Sequence, residues 1–266
     1  MSAVFQQPTA RAALALAILT TAAFPADALE DRGLAIAREA DRRDTGFKDQ
    51  TAELTMHLRN RHGEESIRQI RLRVLETPSD GDKSLVVFDH PGDVKGTALL
   101  TFSHKVGSDD QWLFLPSLKR VKRIASDNKS GPFMGSEFAY EDLTSQEVEK
   151  YRYKYLREEA LGGLSCHVLE RIPVDPKSGY SRQVVWIDTA EYRILKADFF
   201  DRKSELMKTL TLDTYQQYEG RFWRAARMKM VNHQNGKETL LVFRNYRFRN
   251  GLSEGDFDRA SLERIR

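Results

Sequence analysis

The sequence predicts a mainly β protein with a few helices, in which an antiparallel sheet either pairs as a sandwich or curls toward a barrel. Three observations carry this. Apolar residues alternate with period two in segment after segment, and clusters of Gly, Pro, Asn and Asp such as "DPKSGY" and "HQNGKE" separate the segments. Helical periodicity is confined to a few short places. Large side chains also stand in adjacent pairs, Phe199 with Phe200 and Phe222 with Trp223, so bulk points to both faces of those strands and both faces of the sheet must be partly covered.

In chain order, Arg11 precedes the small and apolar run "AALALAILTTAAF" and then "ADA", the pattern of an export signal cleaved after Ala28. Residues 1–28 are read as a signal peptide and 29–266 as one domain, with no Pro-rich or Ser-rich linker and no repeat dividing it. Leu29, Ile36, Ala37 and Ala40 fall near one face of a helical wheel, which predicts an amphipathic first helix. Ala52, Leu54, Met56 and Leu58 share a strand face, Gly63 supplies a turn, and Ile70, Leu72 and Val74 share the next, as in a hairpin. Alternating segments from "KSLVVFD" to "ETLLVFRNYRFR" bring the expected number to about ten or eleven strands. Weak helical signals remain at "HPGDVKG", "EDLTSQEVEKY" and around Leu262. The N-terminal helix and the loop near 126–140 can plug a barrel left open.

Composition narrows the function. Lys and Arg total 42 against 39 Asp and Glu, a net charge of +3, too balanced to argue for nucleic acid as a partner. No stretch approaches the roughly 20 apolar residues of a transmembrane helix. A lone cysteine, Cys166, forms no internal disulfide, so the core must hold the fold even in an oxidising compartment. Together these point to export into a bacterial periplasm.

The chemistry-bearing residues give no enzyme. Glu137, Glu141 and Asp142 cluster, yet acidic residues beside a short helical start are ordinarily caps or dipole partners. Cys166 and His167 are neighbours on a strand, so their side chains point to opposite faces and do not make a nucleophile and base. The six histidines lack metal-ligand spacing, and neither phosphate-binding glycine motif is present. No cofactor and no metal are expected. In "LKRVKRIA", Lys119 and Arg123 take one strand face and Arg120 and Lys122 the other, which fits an edge strand protected by charge or a contact for anionic head groups or an acidic partner.

One stretch resists a bland reading. "SDNKSGPFMGSEFAY", residues 126–140, begins as a polar loop but carries Phe133, Met134, Phe138 and Tyr140. With the preceding residues it forms a long string, Trp112, Phe114, Pro116, Arg120, Arg123, Phe133, Gly135, Ser136, Glu137, Tyr140, Glu141, Asp142 and Leu143, that resembles the outer membrane lipoprotein-sorting proteins, the LolA-like periplasmic carriers, in their RND-exporter-associated branch. The close motif spans 111–143, and the likeness in organisation extends over 29–266.

The resemblance implies an unclosed antiparallel β-barrel around helices, with an apolar cavity that shields acyl chains. It further implies a carrier of a lipoprotein or other acyl lipid, working between an inner-membrane RND-type exporter and an outer-membrane acceptor. On this reading Trp112, Phe114, Phe133, Met134, Phe138, Tyr140, Trp186 and Phe199 are the candidate cavity and lid residues. Phe133, Met134, Phe138 and Tyr140 form a lid tethered by "SDNKSG" that moves aside for cargo, the alternative being that all four pack permanently into the core, and Arg120 and Arg123 are candidate head-group or partner contacts. A sensor or adaptor of the same fold, binding a lipidated ligand or a partner's extracytoplasmic domain without transport, is the alternative.

Overall fold

The computed structural model describes Met1 and residues 26–264; the expected signal peptide lies almost wholly outside the described residues. Helix α1 (Ala26–Asp44) precedes thirteen strands. These are β1 (Asp49–Arg59), β2 (Glu65–Leu75), β3 (Lys83–His90), β4 (Ala98–Phe102), β5 (Asp110–Leu115), β6 (Arg120–Ile124), β7 (Tyr151–Leu161), β8 (Leu164–Pro173), β9 (Tyr180–Asp188), β10 (Ile194–Asp201), β11 (Leu206–Tyr218), β12 (Phe222–Asn232) and β13 (Glu238–Phe248).

All thirteen form one antiparallel sheet in the order β6-β5-β4-β3-β2-β1-β13-β12-β11-β10-β9-β8-β7. The sheet is not closed, because β6 and β7 are its two edges. The segment "QWLFLPSLKRVKRIA" is a hairpin, β5 to β6, turning through Pro116–Leu118 with Lys119 in the left-handed region. The weak helical signals after His90 resolve into turns and short 3-10 pieces at Tyr140–Leu143, Val148–Lys150 and Arg259–Arg264.

This order has a topological consequence. The chain meanders outward from β1 to one edge at β6, and must then travel to the opposite edge at β7. Residues 125–150 make that journey across the concave face, carrying the 3-10 turns at Ser126–Asn128, Phe133–Gly135, Tyr140–Leu143 and Val148–Lys150. From β7 the chain meanders back until β13 pairs with β1, Leu54 opposite Phe243 and Met56 opposite Leu241.

Residues directly opposite on antiparallel strands share a face, so the pairings sort the side chains. The concave face carries the main core: Leu54, Met56, Ile70, Phe88, Leu99 and Leu113 on one wing, and Leu169, Val185, Ile187, Ala197, Phe199 and Met230 on the other. The convex face has two smaller clusters. Leu85, Val87, Ala98, Leu100 and Phe114 lie under the C-terminal residues Phe257 and Leu262, while Cys166, Val168, Val184 and Trp186 form the second.

Helix α1 completes the concave side against β7. Asp27 in its first turn and Arg42 and Arg43 in its last suit the helix dipole. Ile36 and Ala37 are buried in the main core. Gly33 permits the close approach, since a Cβ there would sit 2.8 Å from the Tyr155 backbone nitrogen.

Candidate functional site

The crossing segment fills its half of the hollow. Phe133 and Phe138 are 1% and 4% exposed, and Phe133 packs against Phe88 at 5.7 Å and Tyr140 at 5.6 Å between ring centres. Met134 and Tyr140 pack partly buried against the same core. The left-handed backbone at Met134 (φ 49°) and Gly135 (φ 78°) turns Phe133 inward.

A polar network fixes this plug to both wings. Lys208 on β11 donates to the Glu137 carbonyl at 2.9 Å and to Asp142 Oδ2 at 2.7 Å, in an ion pair whose side chains are 3% and 8% exposed. Asp142 also accepts from the Ala139 amide and from the Tyr180 hydroxyl. The Glu137 amide donates to Thr239 Oγ1, and Asn232 donates to the Glu137 carboxylate at 2.7 Å. Glu141 accepts from Ser178 Oγ and the Gly179 amide, while burial pushes its pKa above the usual carboxyl range. From the other wing Gln111 donates to the Tyr140 carbonyl and Arg68 to that of Met134. Glu137, Glu141 and Asp142 thus act as anchors for the crossing.

The structure therefore corrects the expectation of a lid above a void, because the space under residues 133–140 is occupied by their own side chains. Three further cavity candidates are corrected with it. Trp112 and Phe114 point to the convex face, Phe114 opposite Val121 and Trp112 opposite Arg123, where the C-terminal residues cover them. Trp186 pairs across from Val168 on the convex side and donates to Glu159. The alternation was sound, but the sequence does not say which phase faces inward when both phases are bulky. Phe199 is on the concave side, 5.0 Å from the Tyr180 ring. Arg120 and Arg123 do not converge: they lie on opposite faces of β6, and Arg123 pairs with Asp110.

The open space lies elsewhere, between α1 and the β7–β12 wing. It is a cleft of about 880 Å³ bounded by Ala37 to Thr45 of the helix end, Ser145 to Val148 of the crossing segment, and the concave residues Tyr153, Arg171, Val185, Ile187, Leu212, Tyr215 and Met228. Its size is within the roughly 300–1,000 Å³ typical of small-molecule sites. A smaller, polar hollow of about 330 Å³ sits where Gly135 and Glu137 meet the β1–β2 and β12–β13 turns.

Charge is unevenly set around the cleft. Asp41, Asp82 and Glu147 come from three different elements, and burial is the main cause that raises the pKa of each. Asp82 reaches about 7, with Glu147, Glu76 and Asp44 adding repulsion. Arg43 reaches over the Tyr192 ring and donates to the Ala190 carbonyl, tying the helix end to the β9–β10 turn. Arg193 pairs with Asp188, which is 2% exposed at its side chain. Among the described residues no group of His, Cys, Asp and Glu is arranged to hold a metal ion.

Sequence reasoning missed Gly33, Lys208, Arg171 and Tyr153. A signal existed for three of them. Gly33 interrupts a helical pattern, and Lys208 and Arg171 occupy the apolar phase of their strands, in step with Leu210 and Leu169.

Fold and cleft together define an open antiparallel half-barrel, its hollow plugged on one side by the crossing segment and roofed on the other by a helix. Comparison with known proteins places it more closely. A protein-family model described as "-like: Uncharacterized protein" matches residues 80–264. A domain from Vibrio parahaemolyticus, described as an outer membrane lipoprotein-sorting protein domain, is 54% identical with a TM-score of 0.87, over 88% of this chain and 99% of that one. A DUF1329 family protein from Desulfovibrio piger is 31% identical with a TM-score of 0.84, over 88% and 99%. A LolA superfamily protein from Nitrosomonas europaea, 20% identical over 86% and 98%, shares the fold at a TM-score of 0.70. No curated protein matches the sequence. The chain belongs to the DUF1329 family.

Proposed function

We propose that the protein is a periplasmic carrier that takes the acyl chain of a lipoprotein or lipid into the cleft beneath α1 and works without catalysis. The cleft is the observation that carries this reading: its floor is built from Val185, Ile187, Leu212 and Met228, and its roof is a helix rather than a strand of the sheet. Each methylene kept from water is worth roughly 0.8 kcal/mol, so such a groove offsets what a chain of about a dozen carbons would otherwise lose on leaving a membrane, and the near balance between groove and membrane permits release. Export follows from the leader-like N-terminus. The 111–143 motif points to an inner-membrane RND-type exporter as donor and the outer membrane as acceptor. Among the described residues no helix is long and apolar enough to cross a membrane. Cys166 is buried on the convex face, away from the cleft.

The test is to purify the protein from its native host, extract it with organic solvent and identify what accompanies it by mass spectrometry. A fluorescent fatty-acid probe is titrated in parallel. A co-purifying acyl lipid, and probe binding weakened on the order of tenfold by Met228→Trp, are expected. Absence of lipid together with no probe binding would overturn the proposal. Ligand that is bound but never passed to acceptor vesicles would identify a sensor instead.

A further inference from the structure

Burying a charge is costly unless it is paired, and four of the protein's deeply placed cations follow that rule. Lys208 has Asp142, Arg193 has Asp188, Lys150 has Asp109 and Lys129 has Asp175. Arg171 does not. It is 7% exposed on the concave face of β8 and lines the cleft, yet among the described residues no carboxylate forms an ion pair with it. Its Nε donates to Gln183 Oε1 at 2.6 Å, and its guanidinium lies 4.6 Å from the centre of the Tyr151 ring. Both contacts orient the side chain and leave its terminal nitrogens without an anion. Tyr153 stands directly opposite on β7 and lines the same cleft, and its hydroxyl has no hydrogen-bond partner among the described residues. Burial raises the Tyr153 pKa, so the phenol remains a donor at neutral pH.

We propose that Arg171 and Tyr153 form an anion-binding subsite, and that the ligand of the cleft is an amphiphile with a negatively charged head, a carboxylate or a phosphate. The inference rests on the reading of the cleft as an acyl-chain site. A guanidinium offers two parallel donors to either anion, and the adjacent phenol supplies a third. The tail has a path: Val185 and Ile187 follow Gln183 on the same strand face, about 7 and 14 Å further along. Asp41, Asp82 and Glu147 also line the cleft, and Arg43, Lys105 and Arg193 line it with them.

Three ligands of one chain length separate the possibilities: oleate, oleyl phosphate and oleyl alcohol, each titrated into the full-length mature protein by calorimetry. At least one anion is expected to bind on the order of tenfold or more tightly than the alcohol, and which of the two leads tells carboxylate from phosphate. In Arg171→Gln that preference falls to near unity while the alcohol binds as before; Tyr153→Phe lowers it by a smaller factor. Equal binding of all three by the unmodified protein overturns the subsite and leaves the carrier reading intact. No binding of any of them overturns the carrier reading itself. Because the first comparison uses the unmodified protein, a variant that fails to fold does not shield the proposal.

Discussion

One curved sheet is covered in two unlike ways. Over β1–β5 and β11–β13 the crossing segment is driven into the hollow by Phe133 and Phe138 and held by a buried ion pair and by hydrogen bonds from both wings. Over β7–β9 the cover is α1, which rests on apolar contacts, a glycine-permitted close approach and polar ties at its solvent-exposed end, such as Arg43 to Ala190 and Arg224 to Asp44. Breaking a buried pair by removing one partner costs several kcal/mol, whereas exposed pairs are worth about 0–1 kcal/mol. The difference teaches that polar anchoring inside the hollow holds the crossing segment more firmly than apolar contact and exposed ties hold the helix.

The strongest way to break that comparison is Lys208→Met, which leaves the Asp142 carboxylate buried and uncompensated. Denaturant unfolding is expected to show a loss of about 3–5 kcal/mol, and a loss under about 1 kcal/mol would mean the crossing is not anchored as described. Phe133→Ala should cost about 3–5 kcal/mol by removing a fully buried ring, without abolishing probe binding at the cleft. If binding vanished while the fold survived, the crossing segment would be part of the ligand site after all.

Gly33→Val sharpens the contrast from the other side. The added side chain meets the β7 backbone and should cost about 1–3 kcal/mol, with faster hydrogen exchange in α1 and unchanged protection in residues 131–143. Equal loss of protection in both would show that the two covers move as one.

Asp82 gives a pH test. Its carboxyl titrates at about 7 when folded against 3.8 ordinarily, so the folded state holds the proton more tightly. Stability is therefore greater at acid pH and declines as pH rises from about 4 through 7. Asp82→Asn should remove most of that decline and gain about 1–3 kcal/mol at pH 8. A flat wild-type profile between pH 5 and 8 would contradict the assignment. The smallest effect belongs to Arg43→Ala, at about 0–1 kcal/mol by thermal melting, because the contact is exposed.

Much of this architecture was legible in the residues. The N-terminal helix, the first hairpin and the alternation of the later segments all stand, and the need to cover both faces is met by Phe199 inside and Phe200 outside, under Arg182. Local pattern could not assign the inward phase, since Trp112 and Leu113 are equally plausible core residues until β4 and β6 are placed beside them. Nor could it locate the cleft, which depends on where α1 lands against β7, a contact between residues more than a hundred positions apart. The acidic motif residues read only as caps or dipole partners for the same reason, because Lys208 and Tyr180 are remote in sequence.

The seam between β1 and β13 joins residues about 190 positions apart, such as Thr55 and Val242, in the middle of the sheet. A chain made from its N-terminus can complete the β1–β6 wing early, but one flank of β1 then stays bare until the final strand is available. Assembly is consequently slow at its last step and vulnerable to stray strand pairing, so C-terminal truncations that reach β13 should give aggregates rather than a smaller folded protein.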